Sequence, residues 1–149
     1  MIKIALAADH GGFELKEILK KHIITLPNIQ INDLGAFQYE AFDDYPDFAI
    51  SAARAIAEKK VHKAIIVCGS GVGACMTANK IKGVRACVCH DTYSARQGVE
   101  HDDMNVLCLG GRIIGSEVAK EIVHTFCQAT FNGDERHQRR LNKITHLEK

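Results

Sequence analysis

The sequence predicts an α/β protein, with one parallel sheet of five strands and helices on both faces. Short apolar, β-branched runs alternate with segments of helical period through five rounds. Asp9, His10, Cys68, Asp91 and Arg112 each follow or close a strand-like run, where a parallel sheet presents its carboxyl ends to ligands. The 149 residues, 46% hydrophobic and 25% charged, suit one domain over 1–149 with a substantial core.

Taken in order, Lys3 to Ala8 reads as the first strand and Asp9-His10-Gly11-Gly12 as the turn at its carboxyl end. Phe13 to Leu26 reads as a helix: Leu15, Ile18, Leu19, Ile23 and Leu26 form its apolar stripe, with Lys and Glu on the other face. Ile29 to Asp33 is the second strand. A polar loop at Asp43-Asp44-Tyr45 leads into a helix from about Pro46, a good first-turn residue, to about Lys59. Lys63 to Cys68 is the third strand, and Gly71 to Ile81 the helix after its glycine loop. Val84 to Cys89 is the fourth strand, Asp91 the cap of a helix to about Glu100, and Val106 to Leu109 the fifth strand. A helix opens at Gly115-Ser116-Glu117. The last, Glu135 to about Leu147, has only the narrow stripe Leu141, Ile144 and Leu147, which suits docking onto a second subunit.

The totals exclude several classes. A formal net charge of +1 and 6% aromatics without Trp argue against a nucleic-acid partner. No segment approaches the roughly 20 apolar residues of a membrane span. The opening run, Met1 to Ala7, lacks signal-peptide anatomy. Six cysteines occur without a C-x-x-C pair, so free thiols in a reducing, cytoplasmic compartment are expected, with Cys87 and Cys89 as small core residues.

The strongest motif is Cys68-Gly69-Ser70-Gly71-Val72-Gly73-Ala74. Strand, glycine loop and helix N-terminus together present backbone N–H groups to an anion, and a cysteine closes the strand beside them. The loop also satisfies G-x-G-x-x-A, with Asp91 about 20 residues on, as in a dinucleotide fingerprint. It follows the third strand, however, no residues remain for a substrate domain, and the Gly-Lys-Ser/Thr ending of a triphosphate loop is missing. A dinucleotide- or phosphate-binding module without catalysis is the alternative of another class. His10 and His101 suit acid/base work near neutral pH. His101 with Asp102 and Asp103 makes a poor metal site, because the three side chains point in different directions. Arg136, Arg140 and Lys143 share a helix face with His137 and Arg139 beside it, and arginine forks suit phosphate oxygens.

Asp9-His10-Gly11-Gly12-Phe13, Asp44-Tyr45-Pro46, the Cys68 to Gly73 loop, Ala78-Asn79-Lys80, Tyr93-Ser94-Ala95, Asn105-Val106-Leu107, Gly110-Gly111-Arg112 and Arg136-His137-Gln138-Arg139-Arg140 occur in that order. Together they resemble ribose 5-phosphate isomerase type B, in the sugar-phosphate isomerase family that also contains galactose 6-phosphate isomerase. The resemblance implies a Rossmann-like, doubly wound single domain with no metal and no organic cofactor. It also implies a homodimer or dimer of dimers whose active sites are shared between subunits.

The implied reaction interconverts D-ribose 5-phosphate and D-ribulose 5-phosphate through an enediolate, in the non-oxidative pentose phosphate route. Galactose 6-phosphate or allose 6-phosphate is the rival substrate. By the same resemblance Cys68 is the base. Gly69, Gly71 and Gly73 amides with the Ser70 hydroxyl stabilise the enediolate, and His101 assists ring opening. Asp9 and His10 hold sugar hydroxyls or phosphate, and Tyr45 and Asn105 line the site. Arg112, with Arg136, His137 and Arg140 from the partner, grips the phosphate.

Overall fold

Strand β1 (Ile2–Ala8), helix α1 (Phe13–Ile23), β2 (Ile29–Asp33), α2 (Tyr45–Ala57), β3 (Lys63–Cys68), α3 (Val72–Ala78), β4 (Ala86–Val88), α4 (Thr92–Asp102), β5 (Val106–Gly110), α5 (Ser116–Gln128) and α6 (Glu135–Thr145) follow one another in the computed structural model, which describes residues 1–148. The strands form one parallel sheet in the order β2-β1-β3-β5-β4. The three central strands are covered on both faces, which is why they read as continuous apolar runs.

Alternation along each strand divides the core in two. Ile4, Leu6, Ile65, Val67, Leu107 and Leu109 point to one face and meet Leu19 of α1, Val99 of α4 and Phe126 of α5. Ala5, Ala7, Ala64, Ile66, Cys68 and Cys108 point to the other and meet Ala49, Ala52 and Ala53 of α2 and Ala74 and Ala78 of α3.

Strand order also fixes where the crevice opens. Right-handed crossovers that step one way along a sheet lie on one face, and those that step the other way lie on the opposite face. The steps β1 to β2 and β4 to β5 run one way, through α1 and α4. The steps β2 to β3 and β3 to β4 run the other way, through α2 and α3. After β5 the chain enters α5, on the α1 and α4 face. Strand β3 therefore exits toward one face while both its neighbours exit toward the other. The chain parts on either side of its carboxyl end, where Cys68 stands.

Several expectations shift. Helix α1 stops at Ile23 rather than Leu26, and Lys16, assigned to its polar face, is wholly buried. Its Nζ reaches Asp33 Oδ1 at 2.8 Å and the Ala36 carbonyl at 2.6 Å, so the charge is paired where it is desolvated. Helix α3 ends at Ala78, and the Asn79 side chain then donates to the Ala86 carbonyl (2.9 Å) and accepts from the Ala86 N–H (2.8 Å). Strand β4 starts at Ala86 rather than Val84, since the Val84 N–H turns back to the Ile81 carbonyl. Cys87 of this edge strand is exposed, whereas Cys89, just past its end, is buried as expected. All six cysteines are free thiols. Helix α6 packs on α4 of its own chain through buried His137 and Leu141, while Ile144 and Leu147 stay exposed. Among the described residues no helix is long and apolar enough to cross a membrane.

Candidate active site

Three turns meet at the crevice. The β1–α1 turn comes so close to β3 that a Cβ on Gly12 would lie 2.2 Å from the Val67 carbonyl oxygen, so only glycine fits there. The β5–α5 turn is tied to the glycine loop by Gly111 N–H to the Cys68 carbonyl (2.7 Å) and Arg112 N–H to the Gly69 carbonyl (3.0 Å). The cavity they enclose, about 350 Å³, is lined by Asp9, Tyr45, Cys68, Gly69, Ser70, Gly73, Arg112 and Ile113.

Cys68 is nearly buried, and its Sγ accepts the Gly71 N–H at 3.1 Å. Gly71 takes a positive φ of 83° to aim that amide, a conformation glycine adopts without strain. This corrects one expectation in part: the Gly71 amide is engaged by the Cys68 sulfur rather than standing open. The Ser70 Oγ accepts the Val72 N–H at 3.2 Å, at the start of α3. The Tyr45 ring lies on Gly73, where an added Cβ would be 2.5 Å from it.

Asp9 is buried, and its Oδ1 accepts the Gly12 N–H at 3.1 Å. Burial raises its pKa, against the opposing pull of the Gly12 amide and His10. His10 is held by Asp43, whose Oδ1 accepts the His10 backbone N–H at 2.9 Å and lies 2.7 Å from Nδ1. This hydrogen bond is the main reason that the His10 pKa is raised. Donor atoms of Asp9, His10 and Asp43 lie within 4.8 Å of one another, but the Asp43–His10 pairing already uses two of them, so the cluster is an ion pair with a buried acid beside it.

A second cluster lies elsewhere on the chain. Helix α4 starts beyond the carboxyl end of β4 and runs back along the sheet for 11 residues, about 16 Å, so His101 in its last turn sits toward the opposite end from Cys68. There His101 stacks on His137 of α6, with centroids 4.0 Å apart. Gln97 Nε2 lies 3.1 Å from His101 Nδ1, and Asn132 Oδ1 lies 2.9 Å from His137 Nδ1. Burial, then the neighbouring His101 and Arg136, lower the His137 pKa. Arg136 and Arg140 are exposed and make no ion pair among the described residues, whereas Arg139 is taken up by Glu135 at 3.2 Å.

The expected site residues thus fall into two groups in one chain: Asp9, His10, Tyr45, the Cys68 loop and Arg112 in one, His101, Arg136, His137 and Arg140 in the other. Asn105 joins neither. It precedes β5 at the amino end, and its side chain accepts from Arg85 N–H (2.8 Å) and donates to the Gly83 carbonyl (3.0 Å), so it braces the start of β4 instead of lining the Cys68 cavity. Asp91 likewise caps α4, accepting the Ser94 N–H at 2.7 Å. That weighs against a dinucleotide site, as does β5 lying between β3 and β4. Residues the sequence did not single out are Asp43, Ile113, Gln97 and Asn132. Their parts depend on partners distant in the chain or on small local contacts that carry no motif.

A parallel α/β domain with a thiol, a buried carboxyl and backbone amides gathered at a double switch point defines a class: a small-molecule site fit for proton transfer beside an anion. The Ribose/Galactose Isomerase family matches residues 4–144, and the chain belongs to it. It is 41% identical to ribose-5-phosphate isomerase B of Escherichia coli over 148 residues, covering 99% of this chain and 97% of the relative. It is 37% identical to D-erythrulose-4-phosphate isomerase of Pectobacterium atrosepticum over 136 residues, covering 89% and 87%. The structure of ribose-5-phosphate isomerase B from Mycoplasma genitalium with bound ribulose-5-phosphate superposes with a TM-score of 0.91 at 41% identity, covering 98% of this chain and 95% of that one.

Proposed function

We infer that this chain is an aldose–ketose isomerase that interconverts D-ribose 5-phosphate and D-ribulose 5-phosphate, a step of the non-oxidative pentose phosphate route. The observation that carries the reading is the Cys68 thiol, supported by the Gly71 amide in a cavity that Arg112 also lines. Full-length likeness to relatives of that name stands beside it.

In the proposed mechanism Cys68 thiolate takes the proton from C2 of the open-chain aldose and returns it to C1. Amides of Gly69 and Gly73 and the Ser70 hydroxyl hold the enediolate oxygens, and the Gly71 amide fixes the sulfur in place. Buried Asp9, held by the Gly12 amide, takes sugar hydroxyls. Tyr45 packs along the carbon chain. Arg112 and His10 take the phosphate from one side.

The other side is open in a single chain, and we assign it to a second copy. His101, Arg136, His137 and Arg140 of one protomer close over the Cys68 cavity of the other in a homodimer, with His101 assisting ring opening. Exposed apolar residues on the segments bordering that cavity support this: Phe42 is 98% exposed, and Phe37, Val72 and Met76 are also open.

A coupled assay for ribulose 5-phosphate tests the reading. Cys68→Ala is expected to lower kcat by about 10²–10⁴-fold with the fold intact. Retained turnover would remove the thiol from the reaction. Rates on four-, five- and six-carbon aldose phosphates decide substrate length; a faster six-carbon substrate would move the assignment to galactose or allose 6-phosphate.

A further inference from the structure

The β1–α1 turn carries a feature that the reaction outlined above leaves unused. Asp43 belongs to the loop before α2, 33 residues from His10 in sequence, yet one of its oxygens receives both the backbone N–H and Nδ1 of His10. The paired contact fixes the imidazole in position and orientation together. A carboxylate acceptor at 2.7 Å requires the proton on Nδ1, which leaves Nε2 as the atom that can meet a ligand. Nε2 makes no hydrogen bond among the described residues.

The other Asp43 oxygen, Oδ2, is buried without a partner. A desolvated carboxylate left half-satisfied is costly unless a cation sits beside it, and His10 is the group its partner oxygen touches. His10 and Arg112 line one cleft, and Arg112 also lines the Cys68 cavity. A sugar phosphate with its reacting carbons at Cys68 would therefore carry its phosphate toward Arg112 and His10.

We propose that Asp43 is a positioning residue that, through its two hydrogen bonds to His10, holds the imidazole as a cationic donor aimed at the phosphate of the substrate. The proposal rests on the sugar-phosphate reading and adds to it a pH-dependent half of the phosphate clamp. The charged and titratable groups facing His10 are Asp43 from the loop, Asp9 from its own turn, and Arg112 from the β5–α5 turn, with the Tyr39 ring edge-on at 6.2 Å. Two carboxylates favour the cation against one guanidinium. Because the folded chain binds this proton more tightly than a free imidazole does, the cation persists to higher pH than in a free imidazole and is lost as pH rises through the raised value.

The test has two arms. In the first, imidazole NMR follows the titration of His10 in the whole protein without substrate, for wild type and Asp43→Asn. The midpoint is expected to fall toward that of a free imidazole in the variant; an unmoved midpoint overturns the proposal. In the second, KM for ribose 5-phosphate is measured against pH. Loss of a charge-assisted contact predicts that Asp43→Asn raises KM by up to about tenfold at a pH between the two midpoints read in the first arm. The ratio of variant to wild-type KM should shrink toward one near about pH 5.5, where the imidazole is protonated in both. Substrate phosphate ionisation cancels in that ratio.

A KM ratio that is the same at both pH values would mean that Asp43 acts only on structure, and would overturn the proposal. Adding Asp43→Asn to His10→Gln is expected to raise KM no further, and an additive loss contradicts the proposal. If Asp43→Asn does not fold, Asp43→Ser keeps a neutral acceptor and is read in both arms. Wild type without isomerase turnover would refute the functional reading instead, and the NMR arm would still decide whether Asp43 controls His10.

Discussion

Gly73 shows how a single hydrogen atom in place of a methyl group can matter for turnover and not for folding. It lies in the first turn of α3 with no positive φ, so alanine fits the backbone and is the better helix former by about 1 kcal/mol. The space its Cβ would take belongs to the Tyr45 ring. Gly73→Ala should therefore leave stability unchanged or slightly raised while pushing Tyr45 into the cavity. Misplacement by about 1 Å can cost up to about 10²-fold, so kcat/KM should fall by up to that factor while the melting temperature holds. A fall in both would place Gly73 in the structural class. At this scale the sequence was most legible where a residue's chemistry is set by its neighbours in the chain: Cys68 beside its glycines, Asp9 beside His10. It was least legible where the partner is remote. Asp43 and His10 are joined only by the fold, and Asn105, which sits in a motif-like run, is occupied by Arg85 and Gly83.

Among the elements, α1 and β2 are fastened by charge as well as by apolar contact. Lys16 and Lys20 of α1 reach the two oxygens of Asp33 at the end of β2, at 2.8 and 2.7 Å. Burial alone would raise the Asp33 pKa, but the two lysines and the Gly35 amide outweigh it and hold it below the usual carboxylate range. The sign follows: with the folded value depressed, this stabilisation is full above the unfolded pKa of about 3.9 and is lost as pH falls through the folded value. Asp33→Ala strands the buried Lys16 charge and should cost about 3–5 kcal/mol by denaturant unfolding near neutral pH, with the deficit shrinking below about pH 4. A cost under about 1 kcal/mol would mean that Lys16 finds another partner. The helical stripe of α1 is readable from spacing, yet Lys16 lies on the buried side, because period alone cannot see an acid on the adjacent strand. Element ends drifted for a similar reason: α3 and β4 are set by Asn79 and Arg85, whose partners lie outside their own segments.

For the whole molecule, strand order explains why Asp9, Cys68 and Arg112 gather at the carboxyl end of β3, and the split between clusters is the ground for the proposed second copy. The fold class, the five parallel strands and the carboxyl-end site were all legible from alternating periodicities and glycine turns. The separation of His101, Arg136, His137 and Arg140 from Cys68 needed the direction of α4 and the packing of α6 on it, which a linear motif does not carry. The proposed homodimer with shared sites is tested most directly by subunit complementation. Cys68→Ala and the double variant Arg136→Ala/Arg140→Ala are each expected to be nearly inactive alone, the latter through a KM raised by at least about tenfold. After the two are unfolded together and refolded, half of the dimers are mixed and each mixed dimer holds one intact site, so about one quarter of wild-type activity should return. Activity that stays at the sum of the two separate variants would contradict a site built from two chains.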